Sequence, residues 1–269
     1  MAISIQLNSA VGKDMSFAGY LADYQSSFAA SSGQWGGFNS WNPFATSGSQ
    51  YAQGEGSVLN SGNTDLQGFI AGGDLQYTLF SAPSHTFYGT LNTLEFGHGL
   101  QGVSPRSFVQ SDIVISNLGL SSAKSEGRAG DVHEVVYGLM KPQDSASGGI
   151  SHLLDYLNSN QLNLVAGAGN DTLQGYSQND VLTGGAGADT FYFGLYGSAT
   201  SFGNDTVSDY AAGEKIQVSN AIYADYSAFS SAGGSVSQSA GNTIIDTNGH
   251  GTITLTGVTS FDLADLQFV

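Results

Sequence analysis

The 269-residue chain contains no cysteine, which excludes disulfides, thiolate metal centres and cysteine nucleophiles. That absence does not argue for the cytosol, because an exported protein can do without disulfides. Basic residues are also scarce: 6 Lys plus Arg stand against 22 Asp plus Glu, a formal charge of −16. A surface of that sign repels phosphates, so no nucleic-acid partner is expected. Nowhere do 18 consecutive apolar residues occur, and a helical membrane span is excluded with them. The opening MAISIQLNSAVGKDMSF has no basic start, no apolar run of signal-peptide length and no small-residue cleavage site. Export, if it occurs, is expected to use another address. A Gly-rich phosphate loop of the G-x-x-x-x-G-K-S/T kind is missing too, and no serine triad can be argued from spacing.

What is present divides the chain in two. Its length suits two ordinary domains, and the composition changes after about residue 160. Residues 1–160 hold five basic and twelve acidic side chains, whereas residues 161–269 hold only Lys215 against ten acidic ones. The second part therefore has the character of a cation binder.

In the first part, Ile3, Ile5 and Leu7 alternate with polar neighbours as in a strand. Phe17, Tyr20, Tyr24 and Phe28 fall at steps of three, four and four, which predicts a helix with an aromatic stripe. The stretch from Ala29 to Gln50 is too rich in Gly, Ser and Asn for regular structure, yet carries Trp35, Phe38, Trp41 and Phe44. Those side chains either pack on the protein's own core or face a ligand as a lid. From Gln67 to Phe96 antiparallel strands are expected, with Leu75, Tyr77 and Leu79 on one face and a turn at Ala82-Pro83-Ser84. Asp112 to Leu120 is another strand. Asp131 is expected to cap a helix, with Glu134 closing a capping box and Val132, Val135, Val136, Leu139 and Met140 as the apolar stripe. A second helix opens at Ser151. Strands followed by helices predict an α+β N-terminal domain over residues 1–160, an antiparallel sheet with helices on one face.

Residues 161–269 read as an all-β domain. AGAGNDTLQ, GYSQNDVLT and GGAGADTFY follow one another from Ala166 to Tyr192, placing Asp171, Asp180 and Asp189 nine residues apart, each two residues before Leu173, Leu182 or Phe191. This matches the calcium-binding parallel β-roll repeat G-G-x-G-x-D-x-U-x, in which glycines make tight turns and the aspartate offers a hard carboxylate. The middle repeat has Tyr176 and Gln178 where the pattern asks for glycines, so few ions are expected. A flexible linker has no reason to keep its aspartates in register. The repeats and the segment Gly203 to Asn220 resemble the repeats-in-toxin family. That resemblance implies calcium at Asp171, Asp180 and Asp189 in a short β-roll, and FDLADLQFV is similar to the uncleaved signal read by a type I secretion exporter.

FIAGGDLQYTLFSAPSHTFYGTLNTLEFG (Phe69 to Gly97) and GDVHEVVYGLM (Gly130 to Met140) resemble the HasA-type haemophores, secreted proteins that bind one haem and deliver it to an outer-membrane receptor. The resemblance covers roughly residues 1–160. It implies that Tyr77 ligates ferric iron, that His85 hydrogen-bonds the phenolic oxygen, and that Tyr137 and Met140 contact the porphyrin. The chemistry is consistent: a phenolate is a hard anionic donor for a hard Lewis acid, and a neighbouring imidazole strengthens it. Many members add a distal histidine from the long loop. This chain has none before His85, and Gln34 lies about where it would be. The expected distal face is then water, the side chains of Trp35, Phe38 or Trp41, or a second haem, which makes a homodimer with stacked haems an expectation.

Two other functions compete with an extracellular, non-enzymatic haem carrier. His133-Glu134-Val135-Val136-Tyr137 is close to the zincin H-E-x-x-H but has tyrosine for the second histidine, and a degenerate secreted metalloprotease would use it. A calcium-dependent structural protein without haem would use only the roll.

Overall fold

A computed structural model describes residues 1–10, 12–30, 36–42, 44–55, 63–144 and 148–269. The chain opens with β1 (Ile3–Leu7) and α1 (Phe17–Ser27). Then come β2 (Gly37–Phe38), β3 (Ser47–Gly54), β4 (Gln67–Thr78), β5 (Thr86–Gln101), β6 (Ser107–Ser116) and β7 (Leu120–Ser122). A 3-10 segment (Lys124–Ala129) precedes α2 (Asp131–Met140) and α3 (Ser151–Asn158). The remainder runs β8 (Leu162–Val165), β9 (Thr172–Gln174), β10 (Val181–Thr183), β11 (Thr190–Phe193), β12 (Asn204–Val207) and β13 (Lys215–Val218). It ends with α4 (Tyr226–Ser231), β14 (Ser235–Ser239), β15 (Asn242–Asp246), β16 (Thr252–Leu255) and β17 (Leu266–Phe268). Among the described residues no helix is long and apolar enough to cross a membrane.

The elements form two compact units, one of residues Leu21–Asp155 and one of Met1–Tyr20 with Tyr156–Val269. In the first, an antiparallel sheet runs β2-β3-β4-β5-β6, with β7 added to β5. Its core is aromatic: Tyr24 stacks on Phe28 at 4.7 Å and meets Phe96 edge-on at 5.1 Å, while its hydroxyl donates to the Leu139 carbonyl at 2.8 Å. The stripe Val132, Val135, Val136, Leu139 and Met140 is buried, as its spacing predicts. The start of α2 differs from expectation. Gly130, not Asp131, is the N-cap, and the hydroxyl of Ser122 on β7 accepts the Val132 amide at 3.0 Å. A side chain from another element thus satisfies the orphan donor that a capping box would have served.

The second unit is a two-faced parallel roll. One face runs β1-β8-β10-β12-β16, continued antiparallel by β15 and β14, and the other runs β9-β11-β13-β17. Register places Ile5, Leu164, Leu182, Val207 and Leu255 in one buried ladder, and Leu173, Phe191, Ile216 and Leu266 in the other. Two expectations change here. The roll is longer than the three nonapeptides, because β12, β13, β16 and β17 continue it without the motif. The second concerns β1, which pairs in parallel with β8, and the compact unit formed by the C-terminal residues includes the first twenty. Apolar stacking and backbone pairing suffice to add a coil; the glycine motif is not required.

A phenol–imidazole pair in an apolar cavity

Register in the β4–β5 hairpin sets the site. Tyr77 pairs with Phe87 and Thr78 with Thr86, the last pair before the connecting loop. The loop is closed by one buried side chain: the Thr78 hydroxyl donates to the Pro83 carbonyl and accepts the Thr86 amide at 3.0 Å, while the His85 amide donates to the Thr78 carbonyl at 2.6 Å. His85 takes a left-handed backbone conformation with φ of 57°, which histidine tolerates better than a branched residue. The imidazole is thereby brought back to the strand, with Nδ1 2.8 Å from the Tyr77 hydroxyl.

Beside this pair lies a cavity of about 410 Å³, with Gly36, Phe38, Phe44, Tyr51, Tyr77, Leu79, Phe80, His85, Phe87 and Met140 among its walls. Most of these groups are apolar. Phe44 and Phe80 are exposed, at 77% and 88%, so large apolar rings stand in solvent at the site. Tyr51 is buried and its ring meets Phe87 edge-on at 4.8 Å, with the hydroxyl 3.5 Å from the Met140 sulfur. Burial holds that phenol far above its usual range and keeps it neutral. Gly36 lies directly against the Tyr51 hydroxyl, where any Cβ would collide with it.

Burial also raises the Tyr77 phenol, against which the positive charge of Arg128 pulls down and Tyr137 adds a smaller push upward. Arg128 reaches the same loop, donating to the Ser84 carbonyl at 3.4 Å. Behind the pair, His133 on α2 accepts the Phe87 amide on Nδ1 at 3.2 Å, and burial, reinforced by Arg128, pulls its pKa down to about 4. That nitrogen is therefore engaged with the backbone. With Tyr137 one turn on, the helix does not present a zincin-like histidine pair, and the protease alternative loses its zinc site.

Of the expected ligand residues, Tyr77, His85, Phe38 and Met140 come together at the cavity. Tyr137 does not line it and stacks instead on His133 at 5.1 Å. Trp41 is 85% exposed and is also absent from the walls, because the loop turns after Phe38 and points that ring into solvent. Gln34 and Trp35 lie outside the described residues. Sequence reasoning missed Tyr51, Phe80 and Phe87; the alternation around Tyr77 put Leu79 on its strand face but did not tell which neighbours would form a wall.

The repeat aspartates are all buried, and two have both oxygens hydrogen-bonded. Asp171 accepts from the Met15 amide at 2.8 Å and the Ser9 hydroxyl at 2.5 Å, and Asp180 from the amides of Leu162 and Tyr176, each at 2.7 Å. Asp189 takes the Asp171 amide at 2.7 Å. Among the described residues no cluster of three or more carboxylate or imidazole side chains is placed to hold a metal ion.

The site thus joins a phenol and an imidazole, 2.8 Å apart, to a cavity with mostly apolar walls. The chain belongs to the HasA family: the family model described as "Heme-binding protein A (HasA)" matches residues 1–183. That family comprises haem-binding proteins and not enzymes. The hemophore HasA of Serratia marcescens is 40% identical over 142 residues, which is 51% of this chain and 76% of the relative. Two solved structures are similar as well. A point mutant of monomeric HasA from Yersinia pseudotuberculosis is 28% identical with a TM-score of 0.44, and the holo hemophore HasA from Yersinia pestis is 29% identical with a TM-score of 0.42. Each comparison covers 59% of this chain and 89% of the other.

Proposed function

We propose that this chain is an extracellular haemophore that captures ferric haem on Tyr77, with His85 as the hydrogen-bond partner of the ligand, and delivers it to an outer-membrane receptor. The observation that carries this reading is the 2.8 Å contact between the Tyr77 hydroxyl and His85 Nδ1 beside an apolar cavity, in a member of the HasA family. A phenolate oxygen suits ferric iron, and apolar walls suit a porphyrin. Phe38 and Met140 supply packing against the ring, while exposed Phe44 and Phe80 offer cover on its open side. No distal histidine precedes His85 in the sequence, so the protein is proposed to provide one axial ligand and to leave the other face to water, to apolar side chains or to the haem of a second copy.

In this proposal ligand capture belongs to residues 1–160, and residues 161–269 carry the address for a type I secretion exporter. Calcium is proposed for the roll on the strength of its repeats alone. Haemin titration followed by absorption spectroscopy tests the central claim. Wild type is expected to bind with a tyrosinate spectrum, and Tyr77→Ala to lose that spectrum and bind far more weakly. A structural protein without haem would give no Soret band with either.

A further inference from the structure

The N-terminus occupies the place of a missing repeat in the roll. Residues 3–6 pair in parallel with 162–165, the Ile3 amide donates to the Gln161 carbonyl at 2.9 Å, and Ser16 bridges to Thr172, whose amide reaches the Met15 carbonyl at 2.7 Å. One coil of both faces is thus made by a segment with no glycine motif.

The turns agree residue by residue. Asp171 accepts the Met15 amide just as Asp189 accepts the Asp171 amide one coil further on. Asp14 accepts the Asn170 amide at 2.9 Å, as Asn170 in turn accepts that of Ala188 at 2.9 Å. Glycines follow the same rule. A Cβ on Gly167 or Gly169 would strike the carbonyl of Ser9 or Lys13, while one on Gly185 or Gly187 would strike the carbonyl of Gly167 or Gly169. The first nonapeptide is therefore shaped to be covered. On its N-terminal side, the groups that Gly167, Gly169 and the Asp171 carboxylate meet lie within residues 9–15.

We propose that this surface is a docking site whose occupant is residues 3–16 of the same chain, and that the C-terminal region stays bound to the N-terminus as a permanent part of the working protein, even when the connection near residue 160 is cut. Ile3, Ile5, Leu7 and Met15 are buried, and Asp171 would lose the donors to both carboxylate oxygens without residues 9–15. Removing either side leaves the other with an open strand edge.

The experiment places a specific protease site between Asn160 and Gln161 of the full-length chain. After cleavage the two pieces are expected to co-elute at the mass of one chain and to part only in denaturant, and Gly169→Ala is expected to weaken their association at least tenfold. Separation of the wild-type pieces at micromolar concentration overturns the proposal. Co-elution at twice the mass also overturns it, since the occupant would then be a second copy. Should the insertion prevent folding, hydrogen exchange on the uncut chain decides. The Met15 amide is expected to be as protected as that of Thr206 inside the roll, and exchange at the rate of a frayed terminus sinks the idea.

Discussion

His133 accepts the backbone amide of Phe87, the residue directly across the hairpin from Tyr77, so helix α2 is hydrogen-bonded to the strand behind the site. Only a neutral imidazole can accept there. With the folded pKa pulled from 6.5 to about 4, the unfolded chain binds more protons between those values. The contribution of His133 to stability is therefore fully present above about pH 6.5 and is lost as the pH falls towards 4. Urea unfolding at pH 7.5 and 4.5 is expected to show that loss in wild type. His133→Leu is expected to cost about 1–3 kcal/mol at pH 7.5, through the orphaned amide, and to show a smaller drop on acidification.

Haem uptake is expected to strengthen as the pH rises. Burial raises the free Tyr77 phenol, so iron must displace its proton, and a proton released to solvent gives roughly one log unit of affinity per pH unit. Replacing His85 by Ala removes the group 2.8 Å from that phenol and is expected to cost about 10–100-fold in affinity while the Soret band persists. A His85→Ala protein that binds as tightly as wild type at every pH would remove the imidazole from the mechanism.

The roll is expected to be more stable at pH 5 than at pH 8 when divalent cations are absent. Burial raises Asp180 to about 6, Glu214 to about 7 and Asp205 to about 8, and one oxygen of Asp205 has no hydrogen-bond partner. Folded-state pKa values above the unfolded ones mean that the folded roll holds extra protons, so stability is highest at low pH and declines as the pH passes through 6 to 8. Thermal unfolding followed by circular dichroism checks the trend, and Asp205→Asn is expected to flatten it. If calcium binds the roll, adding it at pH 8 restores the lost stability; an unchanged unfolding temperature rejects calcium.

Gly138 in α2 faces Gly149, and a Cβ at position 138 would run into the Gly149 carbonyl oxygen. Gly138→Ala is expected to lower stability by about 1–3 kcal/mol in chemical denaturation, because backbone rather than a flexible side chain must move. An alanine variant as stable as wild type would show that the two segments can separate without cost.

Much of this was legible from local pattern. The aromatic stripe of α1, the apolar stripe of α2 and the hairpin carrying Tyr77 and His85 all follow from spacing within a few residues, and so does the recurrence of Asp171, Asp180 and Asp189. The N-cap of α2 was not legible, because its donor is satisfied by Ser122 from β7. The cavity was only half legible: Phe38 and Met140 were expected at it, whereas Tyr51 and Phe87 enter through the pairing of β3 with β4 and of β4 with β5.

By itself the sequence carried the nine-residue beat of carboxylates, a signal written over short stretches of chain, while Tyr77 and His85 were singled out by the resemblance of their surrounding segment to HasA-type haemophores and not by their spacing. Tertiary structure alone decided that residues 3–16 complete the roll and that Tyr51 and Phe87 join Phe38 and Met140 in walling the cavity. Partners separated by some 150 residues are chosen by register, burial and hydrogen-bond satisfaction, and none of these leaves a periodic mark on either segment.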